Sequence, residues 1–498
     1  MEGNLFEVLR ERSTGKPSNI FLRDPEGGSL TYSECFRMAG QYAQAIQECG
    51  VEEGDRVLVK VKKSFEAVAL YLACLQHGAI YVPTNPKSTL EETTYLVQDS
   101  EPSLVVFAHG NTESVEIRSE TIGGGNGSLT ALAKSLPGAD KCTRRMDADI
   151  AAMLYTSGTT GRPKGAMLTH RGLVTNAKAL HKIWGFETED VLLHCLPIFH
   201  VHGLFVALHC AMLSAAEVIF LKKFDPVEVV ESLSESTVMM GVPTHYIRLL
   251  DENQFGRHTC EHVRLFTSGS APMTEHTHEV FHERTGHKIL ERYGMTEAGI
   301  ITSNPLIGER VPGTVGFALP GMELRVAQDE RECTVGELGI VEVRGDHLFA
   351  GYWGQPEKTA ASFQKDGFLI TGDLGWFDGD GRLSLQGRSN DMIISGGENV
   401  YPKEVELHLD GFSGIKECAI VGLPHPDLGE AVTAFLITDE EFSEIETREH
   451  IKSLVTDFRQ PKKYVIVDAL PRNAMGKIQR AKLREEYSML FDDVGKPN

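Results

Sequence analysis

The segment from Tyr155 to Gly165 has the composition of a phosphate-binding loop. Its sequence is YTSGTTGRPKG, and it follows an apolar run, Ile150–Leu154, that predicts a β-strand. Backbone N–H groups, hydroxyls and one ammonium group are what a loop needs to surround phosphate oxygens. It is not a Walker loop, because Lys164 lies between a proline and a glycine instead of preceding a serine or threonine at the start of a helix. Alone, it predicts phosphate binding, with a turn that has no ligand as the alternative.

Four further motifs follow this loop along the chain. They are Glu291–Glu297 (ERYGMTE), Thr371–Asp373 (TGD), Gly387–Arg388 (GR) and Pro471–Lys477 (PRNAMGK). In this order, the set resembles the adenylate-forming superfamily of acyl-CoA synthetases, luciferases and nonribosomal-peptide adenylation domains. The resemblance covers nearly the whole chain and implies an enzyme that activates a carboxylic acid with ATP and Mg²⁺ and uses coenzyme A as co-substrate.

The resemblance also implies which residues bind the nucleotide. The phosphate contacts would be Thr156, Ser157, Gly158, Thr159, Thr160 and Lys164. Glu297 would bind Mg²⁺ through a carboxylate oxygen. The remaining contacts would be Gly269, Ser270 and Ala271 beside the adenine, Tyr293 stacked on it, Glu291 in the same motif, Thr296 at the α-phosphate, and Asp373 and Arg388 at the ribose. A turn carboxylate and a surface salt bridge are the alternatives for Asp373 and Arg388.

A lysine near the end of the chain, Lys477, would be the mobile catalytic group. The resemblance implies that it bridges the substrate carboxylate and the α-phosphate, whose mutual repulsion must be offset. Thioester formation would then require the lysine to leave, through rotation of a small domain about Asp391, which matches the family's hinge position. In the rotated state Gly396 and Gly397 would flank the pantetheine arm, since glycine lets a backbone approach a narrow ligand closely.

Three segments near the acyl pocket predict a charged substrate. The segments LPIFHVHG, GVPTHYIR and RLFTSGS, ending at Gly203, Arg248 and Ser270, resemble the malonyl-CoA synthetase family. That resemblance implies that Arg248 and Ser270 hold the second carboxylate of a small dicarboxylic acid, malonate or methylmalonate, since a guanidinium binds carboxylate bidentately. Arg292 is the rival, although it could instead pair with Glu291 or a phosphate.

Two histidines in the first of these segments have different predicted roles. His200 resembles the family's gate residue near the substrate and CoA tunnel, and we predict that it is catalytic with Lys477 and Thr296. His202 is either a site residue or a buried histidine with satisfied hydrogen bonds. Its sequence position does not choose between the two.

Other functions share part of this pattern. A ligase for another small or aryl acid, or a luciferase-like adenylating enzyme, would keep every ATP motif. An amino-acid adenylation module would need an acidic residue in Leu196–Gly203 to pair with the substrate ammonium, and that segment contains none. Retention of Lys164, Glu297 and Asp373 argues against an inactive homologue that only senses nucleotide. We expect no carrier domain in the chain.

The elements that must position these residues follow from apolar periodicity. Short β-branched runs (Arg56–Val61, Ser103–Phe107, Val191–His194 and Glu217–Leu221) alternate with helical patterns such as Ala67–Leu75 and Pro226–Leu233. This alternation predicts an α/β fold in which a large N-terminal domain, residues 1–390, has mainly parallel sheets. Beyond it, short strands between helices that start near Pro402 and Thr447 predict a small mobile α+β domain, residues 391–498.

Composition limits the partners and the compartment. The 498 residues are 41% apolar with a formal charge of −21, which argues against nucleic-acid binding and a polybasic membrane surface. The nine cysteines are scattered without metal-ligand spacing, so we expect reduced thiols. With no apolar stretch long enough to span a bilayer and no targeting pattern at the start of the sequence, we expect a cytoplasmic protein without membrane insertion.

Overall fold

The structure is a computed structural model that describes residues 3–111, 113–156, 162–329, 331–473 and 476–491. Its α-helices are α1 (Leu5–Glu11), α2 (Tyr32–Glu48), α3 (Phe65–His77), α4 (Leu90–Ser100), α5 (Ser128–Ser135), α6 (His170–Ile183), α7 (His209–Ser214), α8 (Pro226–Leu233), α9 (Pro243–Leu250), α10 (Arg257–Cys260), α11 (Glu275–Thr285), α12 (Pro356–Ala361), α13 (Pro402–Leu409), α14 (Glu444–Leu454) and α15 (Arg480–Glu486). Every helix of these ranges falls short of the length or apolar character that a membrane-spanning helix requires.

The β-strands are more numerous than the helices. In chain order they are β1 (Ile20–Arg23), β2 (Ser29–Thr31), β3 (Arg56–Lys60), β4 (Ile80–Pro83), β5 (Leu104–Ala108), β6 (Ser119–Ile122), β7 (Ile150–Thr156), β8 (Lys164–Thr169), β9 (Val191–His194), β10 (Glu217–Phe220), β11 (Val238–Gly241), β12 (Leu265–Ser268), β13 (Leu290–Met295), β14 (Gly299–Ser303), β15 (Thr314–Ala318), β16 (Met322–Gln328), β17 (Arg331–Glu332), β18 (Gly339–Gly345), β19 (Gly351–Tyr352), β20 (Leu369–Phe377), β21 (Leu383–Arg388), β22 (Ile393–Ser395), β23 (Glu398–Val400), β24 (Ile415–His425), β25 (Gly429–Thr438) and β26 (Lys463–Ile466).

Two sheets form the body of the large domain. The smaller has the order β19-β8-β7-β4-β3-β5-β6 and the larger the order β17-β16-β18-β20-β21-β15-β14-β13-β12-β11-β9-β10-β1-β2. Strands β7-β4-β3-β5-β6 pair in parallel, as do β13-β12-β11-β9-β10-β1, and antiparallel strands extend both sheets. Buried residues of both sheets belong to one hydrophobic core. The predicted α/β class with parallel strands is confirmed.

Local sequence explains the predicted helix near residue 70. Ser64 caps the N-terminus of α3 by accepting a hydrogen bond from the Ala67 N–H, and Gly78 ends the helix at a φ of 84°, a left-handed conformation that glycine adopts without strain. Nearly the whole apolar run inside the helix is buried. The chain then enters β4, so the prediction of a core helix that leads into a strand is confirmed.

The small domain is a five-stranded sheet with helices on both faces. Its order is β23-β22-β25-β24, with β26 parallel to β25. Val405 of α13 and Ile451 of α14 are buried in a core on one face, whereas Leu483 of α15 and Phe491 are buried on the other. This arrangement matches the predicted α+β class.

A short 3₁₀ helix, Ser389–Asp391, connects β21 of the large domain to the small domain. The two domains also contact each other directly, since the Lys403 ammonium of α13 donates a hydrogen bond to the Leu385 carbonyl at 2.6 Å. Gly476 lies against Thr244, where an added Cβ would be 2.8 Å from the threonine hydroxyl. These contacts hold the loop that precedes Lys477 over the large domain.

The two glycines predicted to flank the pantetheine arm lie in a hairpin between β22 and β23. Gly396 and Gly397 have φ angles of 62° and 88°. Two consecutive residues with positive φ are the requirement of the tight turn that joins antiparallel strands.

Candidate active site

The predicted site residues converge on one cleft because of how the parallel strands end. Strands β9, β11 and β12 are neighbours in the large sheet and run in the same direction. Their carboxyl ends therefore lie at one edge, where ligands of open α/β sheets bind. The segments after them contain His200, Arg248 and Ser270.

The phosphate side of the cleft is formed by β7 and β8. Thr156 and Lys164 are paired across these antiparallel strands, and the Lys164 ammonium lies 4.9 Å from the centre of the Tyr352 ring. The strands thus place one hydroxyl and one cation at the two ends of the predicted phosphate loop. The other predicted phosphate contacts, Ser157, Gly158, Thr159 and Thr160, lie outside the described residues.

The predicted metal ligand, Glu297, lies in the turn between β13 and β14, beside Thr156. Its side chain is buried, and its Oε1 accepts hydrogen bonds from the Tyr352 hydroxyl at 2.9 Å and the Thr156 hydroxyl at 3.5 Å. Both donors use the same oxygen, which leaves Oε2 as the oxygen for a cation. A fixed carboxylate beside a phosphate loop fits Mg²⁺, which is bound in such sites by one or two carboxylates and the phosphates.

Two tyrosines fix the ends of the phosphate loop. The Tyr155 hydroxyl donates to Asp99 Oδ2 at 2.6 Å, and the Tyr95 hydroxyl donates to the Pro163 carbonyl at 2.8 Å. Tyr95 and Asp99 are one turn apart on α4, so a single helix binds the chain on both sides of the loop. Sequence reasoning missed this pair, although a capping box at Thr89 marks where α4 begins.

Asp373, which is predicted to bind the ribose, is buried, and each of its two carboxylate oxygens has a partner. The Tyr293 hydroxyl donates to its Oδ2, and the Arg388 guanidinium lies 2.8 Å from its Oδ1. Asp373 and Arg388 face each other on paired strands β20 and β21. Burial and the Asp373 charge raise the pKa of Tyr293 well above its ordinary value, so this phenol stays protonated and keeps donating.

The predicted adenine segment follows β12 and has a strained backbone. Ser270 has a φ of 72°, in the left-handed region that is rare for residues with a side chain. Gly269 leaves room for a neighbour, since an added Cβ would be 2.4 Å from Nη1 of Arg292. The half-buried Ala271 follows. Strain in a loop at the strand ends is typical of a ligand-binding segment.

Lys477 enters the cleft from the small domain. Burial and the Arg388 charge lower its pKa, while Asp373 and Glu297 oppose that shift. The lysine is therefore close to three of the motifs predicted to bind the nucleotide. Burial and Lys477 together lower the pKa of His200 to about 4, so this histidine is neutral near pH 7.

The two rival arginines differ sharply in environment. Arg292 is only 4% exposed, and its Nε and Nη2 have no hydrogen-bond partner in the part of the chain that is described. Burial lowers its pKa to about 10, so the guanidinium is still charged near pH 7. Arg248 is exposed. Arg292 does not pair with Glu291 as one alternative proposed, because the Glu291 carboxylate binds His278 at 2.8 Å.

Arg248 lines a separate cavity at the domain interface. Its volume is about 190 Å³, and both domains contribute to its wall: Leu196, Pro197, Phe224, Val242, Thr244, His245 and Arg248 from the large one, and Arg472, Asn473 and Gly476 from the small one. The cavity therefore lies at the interface between the two domains, next to the cleft.

Three predicted residues lie apart from the cleft: the hinge residue Asp391 and the two hairpin glycines, Gly396 and Gly397. Asp391 is near two arginines of its own domain, Arg480 at 3.8 Å and Arg484 at 3.5 Å. Gly396 and Gly397 are solvent-exposed. Their predicted roles concern a rotated small domain, which is a different arrangement from this one.

Comparison with known proteins identifies the two parts of the chain. The family model for the AMP-binding enzyme matches residues 9–353, and the model for the AMP-binding enzyme C-terminal domain matches residues 404–477. Among solved structures, ATP-bound MatB from Rhodopseudomonas palustris is 43% identical with a TM-score of 0.96, covering 99% of this chain and 100% of that chain. Apo MatB from the same organism is also 43% identical, with a TM-score of 0.83, and the match again covers 99% of this chain and 100% of that chain. The overall arrangement is thus closer to the ATP-bound structure.

Curated relatives differ in the acid that their names give. The mitochondrial malonate–CoA ligase ACSF3 of Mus musculus is 34% identical, over 92% of this chain and 87% of its own. A long-chain-fatty-acid–CoA ligase of Bacillus subtilis is 30% identical, over 92% of this chain and 90% of its own. Sequence likeness at this level therefore leaves the acid to be decided by the pocket.

The tyrosine anchors predict an effect on nucleotide binding alone. Tyr155→Phe removes a hydrogen bond to a carboxylate, and Tyr95→Phe removes one to a carbonyl, so each should raise the KM for ATP by about fivefold or more. The KM for the acid should stay within about twofold, because neither tyrosine contacts the acyl side. Steady-state kinetics with one substrate saturating measure both constants.

Tyr42→Phe is the matched control for these two variants. It removes the same hydroxyl from a buried tyrosine whose partner, Thr130 at 2.9 Å, lies outside the cleft. Its KM for ATP should equal that of the wild type. An equal rise in all three variants would mean that loss of a buried hydroxyl perturbs the protein generally, and would contradict the anchoring role.

Proposed function

The chain belongs to the AMP-binding enzyme family, and we propose that it is a malonate–CoA ligase. It activates malonate with ATP as malonyl adenylate, releases pyrophosphate, and transfers the malonyl group to coenzyme A with release of AMP. It is thus an AMP-forming acid–thiol ligase with Mg²⁺ as its metal cofactor. The observation that supports malonate over other acids is the buried guanidinium of Arg292, whose Nε and Nη2 have no partner among the described residues.

The argument for a dicarboxylate is energetic. A buried charge without a partner costs several kcal/mol, so a pocket for a fatty or aryl acid should contain none. Arg292 is such a charge, on the same cleft as Lys477, whose pKa it helps to lower. A second carboxylate on the substrate would pair with it bidentately. An apolar luciferin, an aryl acid or a fatty acid would leave it unpaired.

We assign Arg292 the distal carboxylate and give Ser270 and Arg248 supporting roles. Ser270 follows Gly269, which lies against the Arg292 guanidinium, so its hydroxyl is well placed to donate to a carboxylate that Arg292 holds. The exposed Arg248 lies at the rim, where it can attract the acid before it binds. Burial makes the Arg292 contact the stronger, because ionic hydrogen bonds gain strength away from water.

In the first half-reaction, an oxygen of the reacting carboxylate attacks the α-phosphorus, and the bond to the pyrophosphate oxygen breaks. Lys477 lies between the two anions and offsets their repulsion, with Thr296 as a hydroxyl donor to the α-phosphate. Lys164 and Thr156 contact the departing pyrophosphate. When bound at Glu297, Mg²⁺ neutralises phosphate charge. His200, which is neutral, borders the acid without adding a second charge beside Lys477.

In the second half-reaction, the CoA thiolate attacks the acyl carbon and AMP leaves as the acyl–phosphate bond breaks. The small domain must first withdraw Lys477, which requires the Lys403–Leu385 and Gly476–Thr244 contacts to separate. We propose Asp391 as the hinge of that rotation. The exposed hairpin with Gly396 and Gly397 then faces the pantetheine arm, where the missing side chains allow a close approach.

We place the domain boundary at this hinge, with residues 1–390 in the ATP- and acyl-binding domain and 391–498 in the lid domain. The substrate partners are a small dicarboxylic acid, ATP and CoA, and we propose that nucleic acid is not among the partners. A reducing, cytoplasmic setting suits the cysteines, which are free thiols. Burial raises the pKa of Cys35 and Cys195 to about 12, so both stay protonated.

The assignment of Arg292 predicts a loss of malonate use. Arg292→Met keeps much of the side-chain volume and removes an ionic hydrogen-bond donor, so kcat/KM for malonate should fall about 10-fold to about 150-fold, equivalent to about 1.5–3 kcal/mol. The KM for ATP should be unchanged. Arg248→Met, the matched variant at the rim, should lose less than Arg292→Met. Pyrophosphate release with and without CoA measures these values.

The same assay tests the proposed function itself. Wild-type enzyme should use malonate better than acetate, coumarate or octanoate. A preference for any of these monoacids would refute the malonate assignment, and a larger loss in Arg248→Met than in Arg292→Met would transfer the distal carboxylate to Arg248.

The mobile lysine predicts a separation of the two half-reactions. Lys477→Ala should abolish formation of malonyl adenylate, yet malonyl-CoA formation from supplied malonyl adenylate should persist. Lys482→Ala, at an exposed lysine of the same domain, should retain both. The two rates are measured as ATP–pyrophosphate exchange and as thioester formation. Equal loss of both half-reactions in Lys477→Ala would contradict a role for this lysine confined to adenylation.

A further inference from the structure

Like Arg292, His202 is a buried polar side chain without a partner among the described residues. His202 is the first residue of a π-helical segment, His202–Leu208, and is only 3% exposed. Neither of its ring nitrogens has a hydrogen-bond partner among the residues that the structure describes. A buried polar group in this state loses its hydration without compensation, so it is unusual in a native protein and calls for a ligand.

Two other buried histidines near it in sequence each have a hydrogen-bond partner for at least one ring nitrogen. His194 Nε2 donates to the Gly203 carbonyl at 2.9 Å, and its Nδ1 lies 2.6 Å from the Lys63 ammonium. His209, the residue directly after the π-helical segment, shares a hydrogen bond of 2.8 Å with the Tyr71 hydroxyl. His194 thus has partners for both ring nitrogens and His209 for one, since its Nδ1 is unpaired within the described residues. His202 differs from both, because both of its ring nitrogens are unpaired there.

The surroundings of His202 fix its protonation state. Burial lowers its pKa well below the ordinary value, and the Arg292 charge and the histidines 194, 245 and 200 lower it further. The ring is therefore neutral near pH 7, with one N–H donor and one lone pair. Geometry places both groups at the same edge of the large sheet: the Gly203 carbonyl is bound to the last residue of β9, and the Arg292 guanidinium lies against Gly269, just after β12.

A third unpartnered group projects from the same face of the sheet as Arg292. Thr267 of β12 is paired in parallel with Leu290 of β13, and Arg292 is two residues further along β13. Side chains two residues apart on a strand share a face. The Thr267 hydroxyl is fully buried and, like Arg292 and His202, has no partner within the described ranges. Three separate elements thus contribute unpaired polar groups to one buried region.

We propose that His202 is a specificity-determining residue, which donates its ring N–H to the distal carboxylate held by Arg292. The inference rests on the proposed function and deepens it. A carboxylate has two oxygens that can accept from both groups at once, so it satisfies the guanidinium and the imidazole together. A monoacid satisfies neither. The pocket then discriminates against monoacids through unpaired donors, which is the strongest form of substrate selection by a buried site.

The test compares His202→Phe and His202→Gln in the full-length enzyme, with malonate and propionate as the probes. In His202→Phe, kcat/KM for malonate should fall about tenfold or more, because a hydrogen bond to a charged group is lost. The value for propionate should stay within about twofold, and the KM for ATP should not change. His202→Gln keeps an N–H donor, so its malonate/propionate ratio should lie between those of the wild type and His202→Phe. His209→Gln is the matched control, with an unchanged ratio.

A double-mutant comparison separates a role at the carboxylate from a general packing effect. In an Arg292→Met background, His202→Phe should cost little further malonate activity, since the carboxylate is no longer held there. A full additional tenfold loss would instead assign His202 a packing role. Should His202→Phe fail to fold, as judged by its melting temperature, His202→Gln decides by the same ratio, and an unchanged ratio in it would refute the inference.

The outcomes also separate this inference from the proposed function. A wild-type enzyme that prefers propionate or a longer monoacid would refute the malonate assignment. A wild-type enzyme that prefers malonate, combined with a malonate/propionate ratio in His202→Phe within twofold of the wild type, would refute only the role of His202. The histidine would then be paired with a buried water.

Discussion

Repulsion between like charges is the constraint on which this cleft depends. The substrates bring a triphosphate and a carboxylic acid together, and their anions must be balanced by cations from the protein. Lys477, Arg388 and Arg292 are near enough that both arginines lower the pKa of the lysine. Before the substrates bind, these cations repel one another. The folded structure must therefore hold these three cations in place against their mutual repulsion. It does so locally, within a chain whose overall formal charge is −21.

The surrounding structure stabilises each cation in a different way. Asp373 pairs with Arg388, and together with Glu297 it raises the pKa of Lys477 against the effect of the arginines. Arg292 is held by burial in β13, a central strand whose neighbours leave it no room to reach solvent. The histidines of the cleft stay neutral, so they contribute donors without further positive charge. Rigid strands thus keep charges together that would separate in a flexible loop.

Sequence reasoning located the motifs that have a fixed order along the chain, but it could not tell which of their neighbours are buried. The TGD and PRNAMGK motifs could be recognised because each is a continuous run of residues. The parallel strands could be predicted from β-branched runs. Arg248 and Arg292 could not be ranked in this way, because a helix pattern such as PTHYIRLL does not show how much of an arginine faces solvent. One signal was available for Arg292: Leu290 is two residues before it, so alternation along a strand puts both on one buried face.

The tyrosine anchors and His202 lie beyond what a single sequence can reveal. Tyr95 and Tyr155 are distant in sequence, and they act together only because Tyr155 binds Asp99 of α4 while Tyr95 of the same helix binds the Pro163 carbonyl. Within the described residues, both ring nitrogens of His202 lack a partner, and an unpaired atom is a property of the folded arrangement that no residue pattern records.

The positive charges of the cleft also give a reason for placing the proposed catalytic lysine on a separate domain. In the proposed reaction, pyrophosphate departure removes most of the negative charge that had offset the repulsion among Lys477, Arg388 and Arg292. The lysine then gains less from staying in the cleft, while the distal carboxylate still pairs with Arg292 and AMP still faces Arg388. A lysine fixed to the large domain would have to stay there, close to the path of the incoming thiol. A lysine on a hinged domain can withdraw when its electrostatic role ends, so the chemistry of the first step itself favours the rotation that the second step needs.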